Sequence, residues 1–244
     1  MTDLSEGSLS IHRDSETGRD TFATFDSAGV LTAFNGHVDL GTGIQTALAQ
    51  IVAEEIDLPL ERVQVVLGDT AHTPDQGPTI ASETIQIAAV PLRAAAAQLR
   101  QELMRRGARR LNAPETGVEL RDGVIHWKDT SVRLEALLEG RAESLPLDWS
   151  TPVKAPSEYR IVGHKTARQD LPAKVTGAHT YIHDVDVAGM VHGHVIRPPY
   201  SGRDSGPFIG TSLIGWDETA VREMPGFIAV VRDGDFLGVV ATRA

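Results

Sequence analysis

The stretch "GHVDLGTGIQTALAQIVAEEIDLPLERVQVVLGDT", residues 36–70, decides the fold. Gly41 and Gly43 stand where a β run feeds a helix, and Ile44, Leu48, Ile51 and Val52 then fall on one stripe, which predicts a helix over 44–56. Pro59 limits its continuation, because proline lacks the N–H that a helical turn requires. The segment "RVQVVLG", 62–68, is short and largely apolar and reads as a strand. Upstream, residues 20–40 read as two β runs about a Ser27-Ala28-Gly29 turn, a hairpin. Downstream, "GDTAHTPDQGPTIAS", 68–82, is a loop. Ile85, Ala89, Leu92, Ala96, Leu99 and Leu103 then repeat at three and four residues, predicting a long helix from Ser82 to Leu111 with Ser82 as its N-cap and a kink or break at Pro91.

Farther along, 117–128 reads as a strand pair around Asp122-Gly123 and 131–139 as a short helix. Pro, Ser and polar residues concentrate in "LPLDWSTPVKAPSEY", 145–159, which reads as a linker. Beyond it come β runs at 179–184, 190–197, 227–232 and 236–242 and a short helix from Glu218 to Glu223. The expected fold class is α+β, with one domain over 1–144, the linker, and a second domain over 160–244.

The 244 residues, 41% hydrophobic and 23% charged, suit a folded globular protein rather than a disordered chain. A formal net charge of −10 would repel a phosphate backbone, so no nucleic-acid partner is expected. The basic run Arg105, Arg106, Arg109 and Arg110 falls near a predicted helix C-terminus, where cations suit the dipole. With no cysteine, the chain has neither disulfides nor thiolate ligands for iron-sulfur clusters. The start "MTDLSEGSLS" lacks a signal peptide's basic and apolar regions, and no apolar run reaches spanning length; a cytoplasmic protein without membrane contact is expected.

Two places could receive an anion. "DLGTGIQTALAQ" opens a helix with backbone N–H groups that glycine leaves accessible, and Thr79, Ser82 and Thr84 put hydroxyls near the start of the next helix. Together they suggest a phosphate-bearing ligand. The same loop also holds an acid, base and nucleophile set, Asp69, His72, Asp75 and Ser82, which would suit a cofactor-free hydrolase of amides or lactams. Neither a Gly-x-Ser-x-Gly elbow nor a Ser-x-x-Lys pair accompanies it. His179 and His183, and His192 and His194, read as ordinary strand histidines, so no metal site is expected.

The blocks "GHVDLGTGIQTALAQIVAEEIDLPLERVQVVLGDT", "TPDQGPTIASETIQ", "DLPAKVTGAHTYIHDV", "GMVHGHVIRPP" and "MPGFIAVVRDGDFLGVVA" resemble, in that order, the xanthine dehydrogenase/aldehyde oxidase family. The likeness is to molybdopterin-binding large subunits of the nicotinate dehydrogenase and isoquinoline oxidoreductase type. It implies part of a molybdenum-cofactor-binding domain followed by an α/β hammerhead-like domain. It further implies molybdopterin cytosine dinucleotide as cofactor, with Gly41, Thr42 and Gly43 near the metal centre and Thr79, Ala81, Ser82 and Thr84 on the dinucleotide phosphates. Many relatives carry Gln where this chain has Thr42. The family's catalytic Glu lies in a Gly-Glu pair, which this sequence lacks, and relatives continue well past "GVVATRA". The implied function is therefore part of a molybdenum hydroxylase of aldehydes or N-heterocycles. It would work on a small-molecule substrate with a further molybdenum-binding subunit and an electron-transfer subunit. The rivals are the hydrolase and a non-catalytic assembly subunit, with self-association through exposed apolar surface.

Overall fold

A computed structural model describes residues 7–16, 18–197 and 213–243. The chain forms two compact units, Met1–His179 and Thr180–Ala244. Residues 198–212, within the expected second domain, lie outside the described residues.

In the first unit the central sheet runs β4-β3-β2-β1-β8, with β1 Ser8–Ser15, β2 Gly18–Asp26, β3 Leu31–Asn35, β4 Val63–Leu67 and β8 Ala142–Pro146. The predicted hairpin is β2 and β3, paired antiparallel with Phe25 opposite Leu31. β1 and the parallel edge strand β8 are additions that the sequence pattern does not predict. β3 and β4 are parallel neighbours, and the helix between them is α1, Ile44–Ile56, as the sequence predicts. A parallel pair needs such a crossover, and it places the carboxyl ends of both strands, and the loops leaving them, side by side.

The second long helix departs from its prediction. Ala81 and Ser82 both have positive φ, 49° and 62°, and Ser82 makes no capping bond. Helical backbone begins with one π-helical turn, Thr84–Ala88, in which the Ala89 N–H reaches back five residues to the Thr84 carbonyl. An α-helix, α2, then runs Ala89–Arg110. Pro91 accounts for the widened turn: its ring crowds the carbonyl of Ile87 and it has no hydrogen to give it. Helices α1 and α2 cover the sheet, burying Leu48, Val52, Ile56, Leu92, Leu99 and Leu103 against Leu9, Ile11, Phe22 and Phe25. Burial of each such side chain is worth about 1.5–3 kcal/mol. A small antiparallel sheet, β5 Glu119–Arg121, β6 Val124–Trp127 and β7 Thr130–Arg133, flanks this core. Residues 131–139, predicted helical, instead finish β7 and make a 3-10 turn, Leu134–Leu137.

The segment 145–159, expected as a linker, lies along α1. Lys154 is buried, its ammonium 3.2 Å from Glu54 and 2.7 Å from Asp57, and its N–H donates to Glu55 at 3.0 Å. The other Glu54 oxygen accepts the N–H groups of Arg160, Ile161 and Val162. Arg93 joins both partners, donating to Glu55 at 2.7 Å and to the Lys154 carbonyl at 2.6 Å. Two buried carboxylates at the end of α1, where the helix dipole disfavours negative charge, thus become the anchor of a strap.

The second unit holds an antiparallel sheet, order β10-β11-β9, with β9 His192–Val195, β10 Phe227–Asp233 and β11 Phe236–Ala241. The helix predicted from Glu218 to Glu223 is observed as Thr219–Arg222. Within 179–184 the structure has a 3-10 turn, Ile182–Asp184, in place of a strand.

Lys154→Ala leaves Glu54 and Asp57 buried without the ammonium, and we expect a loss of about 3–5 kcal/mol, read as a fall in the urea midpoint. Burial works to raise the pKa of Glu54, but the N–H groups of Ile161, Val162 and Arg160 and the Lys154 ammonium outweigh it and hold the carboxyl below its ordinary value of 4.5. A carboxyl depressed by folding stabilises the fold above its unfolded pKa and loses that contribution as pH falls through the folded one. The stability difference between the native chain and Glu54→Gln, measured by denaturation against pH, should hold steady above about pH 5 and shrink below about pH 4.

Candidate functional site

Ligands of α/β folds sit outside the carboxyl ends of parallel strands, where loops diverge. Here those loops are 36–43, leaving β3, and 68–83, leaving β4. They are locked together by polar side chains at the end of β3. Asn35 donates to the Ala88 carbonyl at 3.0 Å and accepts the His37 N–H at 3.0 Å. Gln76 accepts the Gly36 N–H at 2.9 Å and donates to the same Ala88 carbonyl at 3.0 Å. Gly36 is required by this approach, since a Cβ there would lie 2.2 Å from the Pro74 carbonyl oxygen.

His37 is 1% exposed and bonded through both ring nitrogens. The Gln76 carbonyl, 3.2 Å from Nε2, can only accept, so Nε2 carries hydrogen. In the singly protonated ring Nδ1 is then the acceptor for the Thr84 hydroxyl at 2.7 Å. The Thr84 hydroxyl hydrogen is thereby committed to His37. Thr79 differs: its Oγ1 accepts the Val38 N–H at 2.9 Å and keeps its own hydrogen to give.

The Gly41–Gly43 turn is organised by an internal anion. Asp39 accepts from the N–H groups of Gly41 at 2.8 Å, Gly43 at 3.2 Å and Gln45 at 3.4 Å. Burial works to raise the Asp39 pKa and Asp170 adds to that, but these three bonds prevail and hold it below its ordinary value. Gly43 has φ 79°, and a side chain there would also strike Arg168. Arg168 donates to the Gly41 carbonyl at 3.2 Å and grips Asp170 through both oxygens. The amino end of α1 is therefore met by Asp39, and what the turn presents outward is the exposed Thr42.

A cleft of about 410 Å³ lies between the loops, lined by Val38, Leu40, Thr42 and Ile44 on one side and by residues 79–82 and 84–86 on the other. It brings Thr42 together with Thr79, Ala81, Ser82 and Thr84; none of its lining side chains is cationic. One wall is a tight turn closed by the Glu83 N–H on the Ile80 carbonyl at 3.0 Å, with Ala81 and Ser82 both left-handed. Non-glycine residues there cost roughly 1–2 kcal/mol each. Such strain concentrates where a loop is held for a ligand. No hydrogen bond ties the Ser82 hydroxyl among the described residues.

Of the acid, base and nucleophile set, Asp69 and His72 pair at 2.9 Å on the exposed part of the loop. Asp75 accepts the Gly77 N–H, and no hydrogen bond joins Ser82 to His72. Among the described residues no group of three or more His, Asp or Glu could hold a metal ion. Sequence reasoning passes over His37, Asn35, Gln76 and Asp39. Their signal is a break in pattern, the polar Asn35-Gly36-His37 following directly on an apolar strand.

A family model described as "Molybdopterin cofactor-binding domain" matches residues 5–194. A nicotinate dehydrogenase chain of Pseudomonas putida is 49% identical over 223 residues, 91% of this chain and 19% of that protein. The beta chain of isoquinoline 1-oxidoreductase from Brevundimonas diminuta is 29% identical over 257 residues, 85% of this chain and 32% of that protein. The chain thus spans a fifth to a third of the length of these curated relatives. Among solved structures, quinoline 2-oxidoreductase from Pseudomonas putida 86 aligns with a TM-score of 0.42 and 24% identity, over 47% of this chain and 15% of that one.

The left-handed turn gives a direct test of stored strain. Ala81→Gly removes the Cβ penalty at φ 49° and should raise stability by up to about 1 kcal/mol in a melting experiment, the relief exceeding the entropy cost of glycine.

Proposed function

Because this chain belongs to the molybdopterin cofactor-binding domain family, we propose that its cleft holds the dinucleotide end of molybdopterin cytosine dinucleotide in a molybdenum hydroxylase. The observation that carries this reading is the convergence on one cleft of Thr42, Thr79 and Ser82, with the Thr79 hydroxyl hydrogen free to donate. The donor set fits a phosphate in hydrogen bonding, since hydroxyl donors to a charged oxygen are strong. It supplies no positive charge. The molybdenum centre, when bound, supplies the redox chemistry of hydroxylation.

This chain's own contribution is position. Asp39 and Arg168 fix the Gly41–Gly43 turn from its two sides, so that Thr42 is offered on a rigid support. His37 fixes Thr84, and through Gln76 the loop that bears Thr79, Ala81 and Ser82. Rigid donors need no reorganisation when charge arrives. These 244 residues have no Gly-Glu pair, so the proposed reading assigns the general base to residues outside them. These residues have no cysteine to ligate an iron-sulfur cluster, and the proposed reading passes the electrons to an electron-transfer subunit. A further molybdenum-binding polypeptide completes the cofactor site, residues 160–244 supply the hammerhead-like part, and the assembly works in the cytoplasm. The substrate is an aldehyde or an N-heterocycle. The 49% identity to a protein named nicotinate dehydrogenase supports the heterocycle. No helix among the described residues is long and apolar enough to cross a membrane.

The Asp69–His72 pair carries a second reading, a cofactor-free amide or lactam hydrolase with Ser82 as nucleophile. A stable complex with neither bound cofactor nor hydrolase activity would mark a non-catalytic assembly subunit.

Metal and nucleotide analysis of the protein, alone and with its native partners, separates these readings. The hydroxylase predicts molybdenum and a cytosine nucleotide in the assembled complex. Thr79→Val and Ser82→Ala should each lower the retained nucleotide about tenfold, the loss expected for a hydrogen bond of about 1.5 kcal/mol to a charged oxygen. Metal-free preparations that hydrolyse amides, with activity lost in Ser82→Ala, would establish the hydrolase instead.

A further inference from the structure

His37 does more than fasten loops, because both of its ring nitrogens face oxygen. Nε2 lies 3.2 Å from the Gln76 carbonyl, which accepts whatever the charge on the ring. Nδ1 lies 2.7 Å from the Thr84 hydroxyl, which is able to donate or to accept. A second proton on the ring therefore strands neither nitrogen. It reverses one bond, with Nδ1 becoming the donor and Thr84 Oγ1 the acceptor. Thr84 is 7% exposed, has His37 as its one hydrogen-bond partner among the described residues, and also lines the 410 Å³ cleft. With the ring neutral, the hydroxyl hydrogen is spent on the imidazole and only lone pairs are left for a ligand. With the ring protonated, that hydrogen is released.

Among the described residues no charged group answers such a proton. Gln76 and Thr84 are the ring's partners, and neither ionises. The charged groups on the surrounding segments are engaged elsewhere. Asp39 takes the N–H groups of Gly41, Gly43 and Gln45, and Asp69 pairs with His72. Asp75 accepts the Gly77 N–H, and Arg93 of α2 is held by Glu55. Glu83, next to Thr84 in the chain, makes no ion pair with the ring. A buried charge needs a partner, and the cleft on the far side of Thr84 is where one can enter.

We propose that a phosphate entering the cleft is bound together with one proton, taken from solvent onto His37 Nδ1, and that the Thr84 hydroxyl hydrogen so released turns to a phosphate oxygen. No covalent bond of the ligand changes: an N–H bond forms at the ring, and Thr84 exchanges its bond to the ring nitrogen for one to the anion. A positive charge then stands one side chain behind a lining that has none of its own. The remaining charge of the ligand is left to structure outside these residues. By reciprocity the anion holds the proton as firmly as the proton holds the anion. At high pH the same position offers an acceptor, which suits a ligand hydroxyl and disfavours a phosphate oxygen. Naming the anion as the dinucleotide phosphates rests on the proposed function, whereas the coupling of proton to oxyanion does not.

The test uses the full-length protein, produced in cells that make no molybdopterin, and two probes, sulfate and a diphosphate esterified at both ends by cytidine. The charges of both probes are fixed across neutral pH, so a proton taken up on binding belongs to the protein. Calorimetry in two buffers of different ionisation enthalpy should show uptake of up to about one proton per anion, with affinity falling by up to about tenfold for each unit rise in pH. His37→Gln keeps a donor for the Gln76 carbonyl and an acceptor for Thr84, and should bind weakly at every pH with no uptake. Thr84→Val should lose the uptake and about tenfold in affinity below neutral pH. Thr84→Ser should restore both, which decides the matter if His37→Gln does not fold. Uptake that persists in His37→Gln or Thr84→Val, an affinity flat with pH, or no binding of either probe overturns the coupling. Tight binding of the cytidine probe without uptake sinks the coupling and leaves the cofactor reading standing. Uptake with sulfate, and no added affinity for the cytidine probe, does the reverse.

Discussion

A buried imidazole has to satisfy two ring nitrogens of opposite character, and His37 does so with the Gln76 carbonyl on one side and the Thr84 hydroxyl on the other. Those partners come from the loop after β4 and from the π-helical turn that precedes α2, so one side chain fastens three separate pieces of chain. The Ala88 carbonyl closes the same arrangement by accepting from both Asn35 and Gln76. Partly satisfied polar networks are costly in a dry interior, and fully satisfied ones specify a single arrangement. The cleft inherits its shape from this network. Its walls cannot separate without stranding His37, and the left-handed turn at Ala81 and Ser82 is held against its own preference by the same fastening.

The two ends of α1 show electrostatics handled in opposite ways. At the amino end the partial positive charge of the helix is met by the Asp39 carboxylate, which takes three N–H groups that an external anion would otherwise use. The turn is therefore a support rather than an anion receptor, and the outward contact falls to Thr42. At the carboxyl end Glu54 and Glu55 sit where the dipole repels them, and they are retained because the 154–162 strap brings an ammonium, several backbone N–H groups and the Arg93 guanidinium. The strap continues to Gln169, whose N–H reaches the Thr46 hydroxyl, and to Arg168 over the glycine turn. Carboxylates at the far end of α1 thus help position the loop at its near end.

How much of this is legible in the sequence follows from the range of each determinant. The α1 helix is legible to the residue because its signals are local, a glycine turn before it, one apolar stripe and Pro59 beyond. β4 and the β2–β3 hairpin are legible for the same reason. β1 and β8 are not, since their parallel pairing joins residues more than a hundred positions apart and neither shows clean alternation. The composition of 145–159 describes a chain poor in core residues and says nothing of the acids on α1 that capture it. Ser82 has the chemistry of a helix cap, but Pro91 displaces the start of regular helix and leaves Ser82 in a left-handed turn. In the site, the sequence marks the two loops separately, 41–43 and 79–84, and their meeting at one cleft, with Thr42 beside Thr79, Ala81, Ser82 and Thr84, is seen only in the structure. The histidine that organises it is not legible either, because a lone histidine carries no periodic signal.

The distribution of groups around the cleft implies coupling. The first unit supplies fixed hydroxyls, apolar walls and a strained turn, and leaves positive charge out of the lining. A ligand with two phosphates gains little by entering a concave, largely apolar surface on a chain of net charge −10 unless a cation arrives as well, since burying an unpaired charge is unfavourable. Under the proposed function that cation comes from the structure that completes the cofactor site, so ligand and partner each raise the affinity of the other by the same factor. Neither then needs to bind strongly by itself. In that proposed reading cofactor insertion and assembly are one thermodynamic event, and a cleft lined by neutral donors, poor as a free-standing phosphate site, suits half of a shared one.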